Sequence, residues 1–159
     1  MIGGTGVSCS AMDVAPIRPP DLSARPFSLA VERIMSASPD ELYRMATQQL
    51  GLWFADPGSV LMRPAVNEPF FFTAGGGHPH YGRFLRLIPD RLVELTWVTG
   101  PGGTEGAESV LTLELSAHGA GSALLLTHAG FPTAAARDRH EQSWPRVLEQ
   151  WDRRTVSVS

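Results

Sequence analysis

The side chains in this chain best able to do chemistry are histidines, and their surroundings separate them. His128 lies in Leu124-Leu125-Leu126-Thr127-His128-Ala129-Gly130-Phe131, a run that reads as a buried strand. It shares parity with Leu124 and Leu126, so its side chain should point with theirs toward the core. There it is either a buried histidine satisfied by backbone or hydroxyl groups, or a proton carrier or polar ligand anchor. His78 and His80 flank Pro79 after Gly75-Gly76-Gly77 and read as a solvent-exposed loop pair. A His-x-His spacing can hold a metal, with Asp56 or His128 adding ligands. No spacing here fixes a third ligand, so no metal site is assigned. His80 joins His128 as a candidate for moving a proton. His140 sits four residues before Trp144, where it could meet a cavity or pack at a helix edge.

Other chemistries are excluded or unsupported. All thirteen basic residues are arginines. Without lysine there is no Schiff-base lysine, phosphate-loop lysine or lysine general base. The single cysteine, Cys9, makes no intrachain disulfide, and nothing near it would lower its pKa. Gly3-Gly4-Thr5-Gly6 has no strand before it and no lysine after it, so it is not a phosphate loop. Gly-x-Ser-x-Gly is absent, which leaves a serine nucleophile without a motif. A formal net charge of -3, with no basic stripe, gives no footprint for nucleic acid or for a membrane surface. No run approaches the roughly 18 apolar residues of a bilayer span. A cytoplasmic location without cofactors is the expectation.

The elements that must position these residues follow from periodicity and turn chemistry. A length of 159 residues suits one domain with a real core. Residues 1–26 are rich in Gly, Ser and Pro and lack periodicity, so they read as a flexible leader, with Met12 an alternative start to Met1. The domain is expected over residues 27–157. Phe27, Leu29 and Val31 alternate as a half-buried strand requires. Ser38-Pro39-Asp40-Glu41 predicts a capped helix start, with Leu42, Met45 and Ala46 as its buried stripe. A second short helix is expected over Gln48 to Phe54. Strands follow near 60–63, 69–73, 81–88, 92–98, 109–116 and 122–129, joined by Gly, Pro and Asp turns as in an antiparallel meander. The last helix begins near Thr133 and carries Ala136, His140, Trp144, Val147, Leu148, Trp151 and Thr155 on one face. Pro145 should kink or restart it, with Ser143 as a cap.

That order of elements resembles the helix-grip fold of the START/SRPBCC superfamily, and within it the bacterial homologues of the activator of heat-shock-protein ATPase, C-terminal domain. The matching residues are Val31-Glu32-Arg33-Ile34, Ala37-Ser38-Pro39 with Leu42, Trp53-Phe54, Gly82-Arg83-Phe84, Arg91-Leu92-Val93 with Thr96-Trp97, Leu124 to Phe131, and Trp144-Pro145 with Leu148. The likeness spans roughly Phe27 to Thr155. It implies an α+β protein whose antiparallel sheet wraps a long C-terminal helix, with two short helices after the first strand. It supplies no catalytic signature, because the superfamily hosts many activities.

A last helix laid across a sheet can leave an apolar cavity, and such cavities take small ligands. Trp53, Phe70, Phe72, Phe84, Trp97, His128, His140, Trp144 and Leu148 are the residues expected to line it. The leading functional reading is a protein that binds a small hydrophobic or aromatic ligand. The alternatives are a cyclase, dehydratase or hydrolase working in the same cavity through His128 or His80, and a protein-interaction module like the chaperone activator. A homodimer is open.

Overall fold

The computed structural model describes residues 18–158. The readings of Cys9, Met12 and Gly3 to Gly6 lie outside the described residues. The chain forms β1 (Phe27–Met35), α1 (Pro39–Thr47), a 3-10 turn (Leu50–Leu52), β2 (Leu61–Met62), β3 (Pro69–Ala74), β4 (His78–Ile88), β5 (Leu92–Trp97), β6 (Ser109–His118), β7 (Gly121–Phe131) and α2 (Ala134–Val158). Strands β2 to β7 follow one another as an antiparallel meander, and β1 closes the order by pairing with β7, giving β1-β7-β6-β5-β4-β3-β2. This is the α+β helix-grip arrangement.

Alternation decides which face is buried. On β7, Leu124, Leu126 and His128 point inward, while Leu125, Thr127 and Ala129 are half-covered. Leu111, Leu113 and Leu115 on β6 and Val93, Leu95 and Trp97 on β5 complete the inner face. Against it lies α2, whose Ala136, Trp144, Leu148, Trp151 and Thr155 are buried, the last four at spacings of three and four. Thr133 caps α2, its hydroxyl accepting from the Ala136 amide at 3.0 Å.

Several local expectations change. The second short helix is a single 3-10 turn. Ser38 forms no capping box; its hydroxyl donates to Asp40 instead. Strand β4 begins at His78, so His78 and His80 lie on a strand and not in a loop. The cause is Asp56, whose carboxylate accepts from Thr73 Oγ1 (2.7 Å) and the Gly76 (3.2 Å) and Gly77 (2.8 Å) amides, tightening the β3–β4 hairpin. Helix α2 continues through Pro145. Pro145 and Glu141 are both exposed, so the carbonyl that Pro145 leaves unpaired faces solvent. Ser143 is not a cap there, since its hydroxyl donates to the Arg139 carbonyl at 2.9 Å.

The last residues of the expected leader touch the sheet. Arg25 donates to the carbonyls of Gly130 (2.9 Å) and Glu108 (2.6 Å), and Arg83 donates to the Arg18 carbonyl at 2.5 Å. Gly130, at φ +91°, has no Cβ where the Leu22 side chain packs.

Candidate functional site

Between the sheet and α2 lies an interior space walled by tryptophan, phenylalanine, leucine, alanine, methionine and valine side chains. Of the residues expected to line a cavity, Trp53, Phe70, Phe72, Trp97, Trp144 and Leu148 meet here. The open volume is only about 30 Å³, because aromatic rings fill the space. Trp53 stacks on Trp151 with centroids 4.1 Å apart and planes 7° apart, and Phe54 packs within 6.3 Å of the Trp144 ring. Phe84 sits apart from this lining, packed against Phe70 at 5.6 Å.

His128 is fully buried and belongs to a chain of hydrogen bonds. The Trp144 indole Nε1–H donates to His128 Nδ1 at 3.1 Å, and His128 Nε2 lies 2.7 Å from Ser109 Oγ. The hydroxyl proton of Ser109 is committed to the Trp97 carbonyl at 2.6 Å, so Ser109 must accept from His128 Nε2–H. Two fixed neighbours thus set one neutral tautomer. Burial, with His140 nearby, pushes its pKa well below the usual histidine value. Both ring nitrogens are in use, and a second ring proton would face the Trp144 N–H head on. Ser109 escaped the sequence reading, because only strand pairing puts it beside His128.

His80 and His140 behave differently. His80, on β4, donates through Nδ1 to the His78 carbonyl at 2.9 Å, and His140, on α2, donates through Nδ1 to the Ala136 carbonyl at 2.8 Å. A carbonyl only accepts, so each ring keeps Nε2 as its remaining nitrogen. Burial lowers both pKa values, opposed by these bonds. Both rings line an open groove of about 560 Å³, together with Arg139 and the loop Thr99 to Gly103. Arg139 Nε donates to the Gly102 carbonyl at 2.8 Å and pins that loop to α2. His78 also lines the groove, yet among the described residues no group of three His, Cys, Asp or Glu could hold a metal ion.

Phe54 joins the two spaces. It lines both the interior and the groove, half-buried, with its ring 5.7 Å from His80 and 5.8 Å from Trp97. Its neighbour Trp53 is anchored, donating Nε1–H to the Met45 carbonyl at 3.0 Å and accepting Gln150 Nε2 on its own carbonyl at 2.7 Å. One polar atom in the interior has no such partner. Trp151 is fully buried, yet its Nε1 makes no hydrogen bond among the described residues; Arg33 Nε is the other such atom. A buried donor left unpaired costs about 1–3 kcal/mol.

A sheet gripping a long terminal helix over an aromatic interior defines a helix-grip protein. The chain belongs to the family described as Activator of Hsp90 ATPase homolog 1-like protein, whose model matches residues 36–154. Solved structures share the fold. Protein MLL2253 from Mesorhizobium loti is 24% identical with a TM-score of 0.72, over 83% of this chain and 98% of that one. The Aha1 dimer from Colwellia psychrerythraea is 19% identical with a TM-score of 0.62, over 79% and 92%. PFC0360w, an HSP90 activator from Plasmodium falciparum, is 18% identical with a TM-score of 0.62, over 76% and 89%. At these identities the likeness is one of fold alone. No curated protein matches the chain. Among the described residues no helix is long and apolar enough to cross a membrane.

Proposed function

We propose that this protein binds a small hydrophobic or aromatic molecule between the sheet and α2, admitted from the groove past Phe54. The observation that carries this reading is the double position of Phe54, one ring facing both an apolar, aromatic-walled interior and an open groove. In the present arrangement the interior holds no more than a water or two, so entry requires the Phe54 ring to swing outward. The Trp53 side chain is tied by its indole hydrogen bond to the Met45 carbonyl, whereas among the described residues the Phe54 side chain has only ring contacts, which makes Phe54 the cheaper side chain to move.

Catalysis by His128 finds little support, since both its nitrogens are engaged inside the fold. An interaction module keeps one specific observation in its favour. Leu61, Phe71 and Tyr81 are neighbours across three strands and all are exposed, a patch that a protein partner could cover. Titration with 2-ethylnaphthalene, followed by tryptophan fluorescence, tests the binding reading. Saturation at one equivalent is expected, with faster association in Phe54→Ala. The reading fails if neither protein saturates with any apolar probe.

A further inference from the structure

We propose that the ligand carries a hydrogen-bond acceptor, a carbonyl or ether oxygen, and that the indole N–H of Trp151 recognises it. This rests on the reading that the interior admits a small apolar molecule, and it adds the chemical class. Other buried donors meet protein partners: the Trp53 indole reaches the Met45 carbonyl, the Trp144 indole reaches His128, and the Ser122 hydroxyl reaches the Ala37 carbonyl. Among the buried tryptophans of this wall, Trp151 alone presents an unmatched, fully buried Nε1 donor. Water satisfies such a group poorly here. An ordered internal water needs two to four polar partners, roughly, and the side chains around this space are apolar. A ligand oxygen needs only this one donor, while the rest of the molecule packs in the apolar space that Trp151 and Phe54 both line.

A hydrocarbon of the same shape would gain the burial and leave the donor unpaired. A ketone would gain both. Selectivity for the acceptor should therefore come from this nitrogen, because sites built to hydrogen-bond a group discriminate against the analogue that lacks it.

The test pairs 2-acetylnaphthalene with 2-ethylnaphthalene, which match in size and differ in the carbonyl. Isotope-edited NMR follows the indole N–H signals of the chain's four tryptophans, assigned by substitution. The ketone is expected to bind about tenfold more tightly and to move the Trp151 indole proton downfield. In full-length protein with Trp151 replaced by 3-benzothienylalanine, which keeps the shape and removes the N–H, that preference should vanish while the hydrocarbon binds as before. Equal affinity of the two probes for the unsubstituted protein, or an unmoved Trp151 signal, overturns the assignment and leaves the binding reading standing. Failure of both probes to bind removes the binding reading itself.

Discussion

Trp144 and Trp151 stand two turns apart on one face of α2, both buried, and they differ in what happens to the indole nitrogen. At Trp144 the N–H enters a relay that runs through His128 and Ser109 to the Trp97 carbonyl, tying helix to three strands. At Trp151 the ring stacks on Trp53 and the N–H meets no partner among the described residues. The contrast separates two uses of a large aromatic side chain. One fixes the helix in register by directional bonds; the other fills volume and leaves a donor available.

The largest expected effect tests the volume-filling end. Trp151→Ala should destabilise by roughly 3–5 kcal/mol, the usual range for a buried large aromatic. Urea denaturation measures it. A loss under about 1 kcal/mol would mean that the C-terminal half of α2 is loosely packed, and the comparison would collapse.

The relay end should respond less in magnitude and more in coupling. His128→Ala should cost about 1–3 kcal/mol, from the cavity and from stranding the Trp144 donor. Combined with Trp144→Phe, the two losses should fall short of additivity by about 1 kcal/mol, because either change alone already breaks the shared bond. Strict additivity in a double-mutant cycle would deny the bond any energetic role.

Acid sharpens the same contrast. His128, His80 and His140 all have pKa values lowered by burial in the folded chain. The unfolded chain, titrating near 6.5, roughly, therefore binds more protons below that pH. Stability is fully present above the unfolded value and is lost as pH falls from there toward the lowered folded values. His128→Asn should flatten this dependence more than His140→Asn, since His128 is the more deeply buried and the more strongly shifted. Denaturation midpoints at stepped pH values measure it, and equal slopes for the two variants would contradict the relay.

Much of this arrangement could be read in the residues. Strand parity put Leu124, Leu126 and His128 on one face, and the three-four spacing put Trp144, Leu148 and Trp151 on another, because burial imposes those periods directly. What escaped depends on pairing between distant segments. Ser109 is an ordinary strand residue until β6 aligns with β5 and β7. His80 read as a loop residue because triple glycine signals a turn, and the pinning of that turn by Asp56 is a contact across twenty residues. The unmatched nitrogen of Trp151 has no signature in sequence at all, since hydrogen-bond partners are a property of packing. The size of the cavity was equally hidden, because aromatic residues that can line a space can also fill it.

The smallest effect lies outside the helix, where an arginine does for the sheet what His128 does for α2. Arg25 is half-covered, and its guanidinium donates to the carbonyls of Gly130 and Glu108, at the end of β7 and just before β6. Both acceptors are neutral and solvent reaches the site, so Arg25→Ala should cost only about 1 kcal/mol. Arg25→Lys should recover less than half of that, since one ammonium cannot reproduce two donors in a fixed fork. Thermal unfolding of the two variants reads the difference. If Arg25→Ala melts with the parent protein, the two Arg25 bonds contribute nothing to the fold; a clear drop moves the edge of the folded unit upstream to Arg25.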